Sequence, residues 1–528
     1  MKKKNIDIPI LMSGNEAIAR GAYEAGVRAG TGYPGTPSTE ILEALVSYPD
    51  VYTEWSVNEK VALEVGVGAA LAGARSLITM KHVGINVAAD ILFTSAYTGI
   101  KAGLVVVSAD DPALHSSQDE QDNRHYARAA KLPMLEPADS MEAKEYTKFA
   151  FDLSERFDIP VMLRTTTRIA HSSSAVSLME PVKTSRVSGG FERNRTKYVM
   201  IPLHAGPRHI DLERRISEIA ELAETLEINR IEHGKGSMGF ITAGICYQYV
   251  REIFPEAPIL KLGLVHPIPE RLIREFNKQV DHLIVVEELD PFLEDQIKAW
   301  GIKAEGKKYF SNIGELSPGK IRDALIPETA PAPFSSTLKI PPRPPALCPG
   351  CPHRTVFKIL NKLGYIVSGD IGCYTLGALP PFSAMDTQLN MGGSITIGQG
   401  MEIAGEKNVV AVIGDSTFAH SGITGLLNAA YNGRNELIIV LDNETTAMTG
   451  LQPNPLSGER LNGEPAIKLD YRKLAEAVGI TDERFRTVNA YKPDDVEKAI
   501  IELKNTGKLA LLVIEGPCLI LQRKKKKK

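Results

Sequence analysis

The chain is predicted to be an α/β protein made of several doubly wound α/β domains. Three observations carry that expectation. Short apolar runs alternate with helix-periodic stretches almost throughout, as when helices are layered on parallel sheets. At 528 residues the chain is long enough for three or four domains of about 150 residues. A hydrophobic share of 43% against 24% charged residues is the balance of a soluble protein with sizeable cores.

The first block spans residues 1–180. In it "SLITM" and "GLVVVSAD" read as buried strands, "NVAADILFTSAYTG" between them has helical spacing, and "DIPVMLRTT" closes the block. Residues 181–235 form a linker region that carries a charged helix, "DLERRISEIAELAETLE". A second α/β domain, 236–330, has strands at "MGFITAGI", "PILKLGLV" and "HLIVVEEL"; its glycines do not make the G-x-G-x-x-G of a dinucleotide site. Residues 331–347 hold six prolines and read as an extended spacer. The third α/β block runs over 348–528.

The formal charge of −3 gives no reason to expect nucleic acid, and the lysine runs at Lys2–Lys4 and Lys524–Lys528 read as solvated tails. The apolar run before Ser13 is shorter than the roughly 7 to 15 residues of a signal-peptide core. No segment reaches the roughly 20 apolar residues of a spanning helix. Five unevenly placed cysteines do not make a secreted disulfide framework. The expectation is a cytoplasmic protein with neither nucleic-acid nor membrane partners.

The most informative stretch is "VVAVIGDSTFAHSGITGLLNAAYNGRNELIIVLDNETTAMTG", residues 409–450. It reads as strand, helix and strand, with Gly414-Asp415 after the first strand and Asp442-Asn443 after the second. A right-handed crossover puts both strand ends on one edge of the sheet, so Asp415 and Asn443 face one crevice. A carboxylate and an amide oxygen are hard ligands of the kind Mg²⁺ takes while leaving positions for phosphate. "HSGITG" is expected to start the following helix near the anion. Either residue alone reads as a turn cap; the pair, with Gly414 before it, reads as a site.

These residues resemble the thiamine diphosphate motif, G-D-G followed by N-N, although this chain has "GDS" and "DN". The resemblance implies that Asp415 and Asn443 bind Mg²⁺ through side chains and Thr445 through its carbonyl, with Gly414 beside the cofactor. Thiamine chemistry needs a carboxyl group on the cofactor's pyrimidine ring, commonly from another domain. "EWSVNEKVALEVGVGAALAGARSLITM" offers Glu54, Glu59 and Glu64. Glu59 opens a helix rich in small residues, whereas Glu64 reads as an exposed helical carboxylate.

Cys348 and Cys351 form a C-x-x-C, with Cys373 and Cys518 further on in the same block. Thiolates suit both Zn²⁺ and a [4Fe–4S] cluster, and spacing does not separate them. Cys246, at the end of a strand, reads as a buried small hydrophobe.

"NEKVALEVGVGAALAGARSLITMKHVG", "GYPGTPSTE", "CPGCPHR" and "GDIGCYTLGALPP" together resemble the large (alpha) subunits of 2-oxoacid:ferredoxin oxidoreductases, in particular the indolepyruvate branch. That resemblance covers nearly the whole chain. It implies transketolase-like thiamine-binding domains at 1–180 (pyrimidine) and 348–528 (diphosphate), with a transketolase C-terminal-like domain at 236–330. By the same likeness Glu59 is the catalytic acid, Thr36 contacts substrate, and Cys348, Cys351, Cys373 and Cys518 hold a [4Fe–4S] cluster. The implied reaction is oxidative decarboxylation of arylpyruvates to aryl-acetyl-CoA, with coenzyme A, a smaller (beta) subunit and ferredoxin as partners. His82, His353 and His420 are further polar candidates. Large subunits of this kind usually continue into a ferredoxin-like domain, which is not found before "LQRKKKKK". Two rival readings are a non-oxidative 2-oxoacid decarboxylase, which would leave the cysteines without a shared role, and a non-catalytic subunit, which would not bind thiamine.

Overall fold

The apolar runs "SLITM" and "GLVVVSAD" become adjacent parallel strands, Ser76–Lys81 and Leu104–Asp110, with every residue buried. A strand covered by helices on both faces reads as a continuous apolar run, which is why alternation is missing from the sequence here. The computed structural model describes residues 5–182, 190–329, 338, 341 and 343–526. The chain divides into two compact units, Met1–Ser335 and Ser336–Lys528. Most of the proline-rich spacer expected at 331–347 lies outside the described residues, as do 183–189 of the expected linker. Among the described residues no helix is long and apolar enough to cross a membrane.

In the first unit a seven-stranded sheet runs in the order Leu264–His266, Met134–Leu135, Val161–Thr166, Leu104–Asp110, Ser76–Lys81, Ala29–Gly32, Tyr52–Trp55. All neighbours are parallel except the first pair. The helix between the two central strands, His82–Thr98, coincides with the stretch expected to be helical. A second sheet of four strands holds Met238–Ala243, Ile259–Leu262 and His282–Val286 in parallel, with Arg230–Glu232 antiparallel at one edge.

"PILKLGLV" is two strands rather than one. Ile259–Leu262 belongs to the four-stranded sheet and Leu264–His266 to the seven-stranded one. The break falls at Gly263, where a Cβ would lie 2.6 Å from the Tyr146 hydroxyl and 2.8 Å from the Ile228 carbonyl. Asn229 Oδ1 accepts from the N–H groups of both Gly263 and Leu264, at 2.9 and 3.0 Å, so the backbone leaves one ladder with its donors satisfied. The charged helix expected at 181–235 runs over Pro202–Ala223 and buries Leu212, Arg215, Ile219 and Ala223. Arg215 Nη2 donates to the Ala96 carbonyl at 3.0 Å, so this stretch is packed on the first block. Cys246 is buried, in the first turn of the helix Gly244–Ile253 rather than at the strand end.

Two fully buried arginines anchor this unit, and Arg124 reaches Glu287 at the end of the four-stranded sheet's His282–Val286. Arg164 donates to Asp110 Oδ2 at 2.7 Å and Glu136 Oε1 at 2.6 Å, and Arg124 chelates Asp122 and reaches Glu287 Oε2 at 2.6 Å. Desolvation is repaid only while every carboxylate keeps its partner. Arg164→Met should therefore lower the stability of this unit by about 3–5 kcal/mol in urea unfolding. Arg214→Ala, which removes only exposed pairs, should change it by less than about 1 kcal/mol.

The second unit is built on five parallel strands in the order Ile366–Ser368, Val409–Gly414, Leu437–Asp442, Ala510–Glu515, Phe485–Asn489. Alternate residues of one strand serve two cores. Val410 and Val412 pack with Phe357 and Ile500, while Ala411 and Ile413 pack with Phe418 and Leu426 on the other face. The helix after Val409–Gly414 begins at once, with Asp415–Thr417, and "HSG" lies inside a wider π-helical turn, Phe418–Gly422, instead of opening the helix. Gly422 permits that turn, since a Cβ there would meet Ile413 Cδ1 at 2.8 Å and Phe418 Cδ2 at 3.0 Å.

Candidate active site

Because the five strands of the second unit are parallel, the residues that follow their C-terminal ends share one edge of the sheet. Asp370, Asp415, Asn443 and Cys518 all lie there, each just after a different strand. Asp415 and Asn443 are buried. The Thr445 N–H donates to Asp415 Oδ2 at 3.1 Å and to Asn443 Oδ1 at 3.2 Å, so oxygens from two strand ends converge on one donor. Glu444 makes this possible by adopting φ +66°, which turns the chain back. The Thr446 hydroxyl closes the loop on Ser416 Oγ at 2.8 Å.

Burial, and next to it the Asp442 carboxylate, push Asp415 well above the ordinary carboxylate range. Two acids in one buried pocket, beside an amide oxygen, form a hard-oxygen donor set that a divalent cation would relieve. The residues fit Mg²⁺ on this ground. Gly414 has a different local reason: a Cβ there would lie 2.6 Å from Tyr374 Cε1, so its space is filled by that ring.

All four cysteines of this unit, with His353 and Asn443, line one cavity of about 90 Å³. Burial first, and then the neighbouring Cys518, Cys351 and Cys348 sulfurs, push the Cys373 thiol up to about 12. Such a cluster holds thiolates only with a compensating cation. Among the described residues, the one set of three or more potential ligand atoms within 4.8 Å of one another is Asp122, His125 and Asp290, where Arg124 already neutralises Asp122. No three of the cysteine sulfurs are that close, whereas tetrahedral zinc draws thiolates to about 3.8 Å. Four thiols around one cavity are a soft donor set that fits a thiolate-bound metal centre, an iron–sulfur cluster or zinc.

Three further contacts in this edge were not expected. Asn443 Nδ2 lies 3.3 Å from His353 Nε2, and the Asn443 carbonyl accepts from the Cys518 N–H at 3.1 Å. Asp370, fully buried, accepts from the N–H groups of Ile371, Gly392 and Ser394 at 2.9, 2.9 and 3.0 Å, and so anchors the helix Gly393–Ile403. Its position in "SGDIGC", just after an apolar run, was the available signal. His420 is buried, with Nδ1 2.6 Å from Ser421 Oγ.

In the first unit the C-terminal edge of the seven-stranded sheet carries Thr36 after Ala29–Gly32, Glu59 after Tyr52–Trp55, and His82 after Ser76–Lys81. Of the three glutamates considered, only Glu59 is buried, at 5% exposure. It begins the helix Glu59–Leu71, with Asn58 as cap, and its carboxylate lies along the start of the next helix, where a Cβ at Gly84 would come within 2.9 Å of Oε1. Glu64 is exposed and paired with Lys60; Glu54 accepts from Tyr52 and Ser56 hydroxyls at 2.6 and 2.7 Å. Thr36 is half-buried, and its neighbour Gly35 rests on Lys81, 3.0 Å from Lys81 Cβ by a Cβ of its own. Burial pulls Lys81 down to about 8, against Asp111 and Asp119; its Nζ donates to the Ser116 carbonyl. A lysine ending a wholly buried strand was the overlooked sign of this residue.

Residues 370–514 match the family described as "Thiamine pyrophosphate enzyme, C-terminal TPP binding domain", and residues 20–215 match "Pyruvate flavodoxin/ferredoxin oxidoreductase, thiamine diP-bdg". The indolepyruvate oxidoreductase subunit IorA of Archaeoglobus fulgidus is 41% identical over 97% of this chain and 87% of its own length. That of Methanothermobacter marburgensis is 39% identical over the same shares. A 2-oxoglutarate:ferredoxin oxidoreductase structure from Magnetococcus marinus has the same fold over 61% of this chain and 65% of its own, with a TM-score of 0.51 and 17% identity. With two thiamine-binding regions and relatives aligned almost end to end, the chain belongs to the IorA family of indolepyruvate oxidoreductase subunits, a thiamine pyrophosphate-dependent oxidoreductase family.

Proposed function

We propose that the chain is the thiamine diphosphate-binding subunit of an enzyme that oxidises arylpyruvates such as indolepyruvate to aryl-acetyl-CoA. The overall reaction releases one CO₂, transfers the acyl group to coenzyme A and delivers two electrons to ferredoxin, for which a [4Fe–4S] cluster would be the carrier. The observation that carries this reading is the cavity shared by Cys348, Cys351, Cys373 and Cys518 with Asn443, a candidate ligand of the cofactor's metal. A cluster there would lie beside the decarboxylating cofactor, where an oxidative enzyme needs it and a simple decarboxylase does not.

When bound, thiamine diphosphate supplies the electron-accepting thiazolium that lets a 2-oxoacid lose CO₂. The side-chain oxygens of Asp415 and Asn443 and the Thr445 carbonyl would hold Mg²⁺ for the diphosphate, and Gly414 ends the strand beside them. Glu59 would be the acid that hydrogen-bonds the pyrimidine ring, Thr36 would contact the substrate, and the four cysteines would hold the cluster. In this reading 1–180 is the pyrimidine domain, 236–330 a transketolase C-terminal-like domain and 348–528 the diphosphate domain. A smaller subunit completes a cytoplasmic enzyme.

Anaerobically purified protein should contain about four irons and four acid-labile sulfides per chain. Zinc alone would overturn the cluster and favour the non-oxidative decarboxylase. Glu59→Gln should keep thiamine diphosphate binding but lower turnover by about a hundredfold or more, while Glu64→Gln leaves both unchanged. Asp415→Ala should abolish the Mg²⁺-dependent binding of thiamine diphosphate in calorimetry.

A further inference from the structure

One residue of the second unit touches both halves of the proposed site. His353 opens the helix His353–Leu363, immediately after Cys351-Pro352, and is 4% exposed. Its backbone N–H donates to the Cys351 sulfur, and its imidazole packs edge-on to Tyr374, the neighbour of Cys373, at 6.1 Å between ring centroids. Its Nε2 lies 3.3 Å from Asn443 Nδ2.

The direction of that last contact follows from the donors available. Asn443 Oδ1 accepts from the Thr445 N–H at 3.2 Å, which leaves its amino group facing His353. An amide nitrogen only donates, so Nε2 is the acceptor and the ring carries its proton on Nδ1. With its amino group held by the ring and its side-chain oxygen by the Thr445 N–H, which also bonds Asp415 Oδ2, the amide cannot turn over without losing both bonds.

We infer that His353 is a positioning residue that holds the Asn443 amide with its oxygen toward the metal and diphosphate, and so ties the cysteine-bearing loop to the thiamine site. This inference rests on the proposed metal site at Asp415 and Asn443. Partners that orient a metal ligand are worth about 10- to 100-fold in affinity when removed. His353 acts through Asn443 and touches no reacting atom.

The test is calorimetric binding of thiamine diphosphate with Mg²⁺ to the whole, anaerobically purified chain, with iron per chain measured alongside. His353→Phe keeps the ring against Tyr374 and removes the acceptor; affinity should fall about 10- to 100-fold with iron content unchanged. His353→Gln reaches as far as Nε2 and presents an amide oxygen, so it should bind within about threefold of the parent. His353→Asn is one methylene too short and should behave like His353→Phe; it carries the comparison if the phenylalanine variant does not fold. Binding by His353→Phe or His353→Asn as tight as the parent's would overturn the inference, as would equal loss in all three variants. Asp415→Ala separates the two levels. If it binds Mg²⁺ and thiamine diphosphate normally, the metal-site reading itself fails; if it does not bind while the acceptor-lacking His353 variants do, only the role of His353 fails.

Discussion

A single backbone N–H, that of Thr445, bonds two side-chain oxygens that come from the ends of two different strands. Much of the second unit serves that convergence. The strands Val409–Gly414 and Leu437–Asp442 must be parallel and in register, Gly414 opposite Leu441, for Asp415 and Asn443 to emerge side by side. Glu444 must take a left-handed backbone to bring the amide back. The apolar runs that bury these strands on both faces supply the stability that such a turn costs.

The same edge concentrates groups that are costly to bury. Asp415 beside Asp442, and Cys351 and Cys373 beside the other thiols of one small cavity, are disfavoured as charged groups by burial and by those neighbours. Among the described residues Asp415 and Asp442 have no ion pair of the kind that Arg124 and Arg164 make with the carboxylates of the first unit. In one unit the buried charge is balanced within the chain; in the other it fits balance by metal. That contrast separates structural ion pairs from ligand sets more sharply than burial alone.

The second unit's sheet was legible because parallel, doubly covered strands leave uninterrupted apolar runs, and Gly-Asp and Asp-Asn mark where two of them end. The candidate ligands could be placed from those runs because the period of a βαβ crossover dictates which ends are neighbours. Other features carry no local pattern. The division of "PILKLGLV" between two sheets depends on Asn229, more than thirty residues away, satisfying two amides at Gly263. The π-helical turn at "FAHSG" reflects packing of Phe418 and Ile413 against Gly422, which periodicity does not encode. The His353–Asn443 contact joins residues 90 positions apart and follows from no spacing rule.

The central claim is that the cysteine cavity holds a cluster able to take electrons from a 2-oxoacid bound at the thiamine site. Its most direct test is to add indolepyruvate and coenzyme A to the anaerobic holoenzyme, with its partner subunit, and record electron paramagnetic resonance and visible absorbance. The account predicts bleaching of the cluster absorbance and a reduced-cluster signal that depend on substrate and disappear in Asp415→Ala. A cluster that stays oxidised while indolepyruvate is decarboxylated would contradict it.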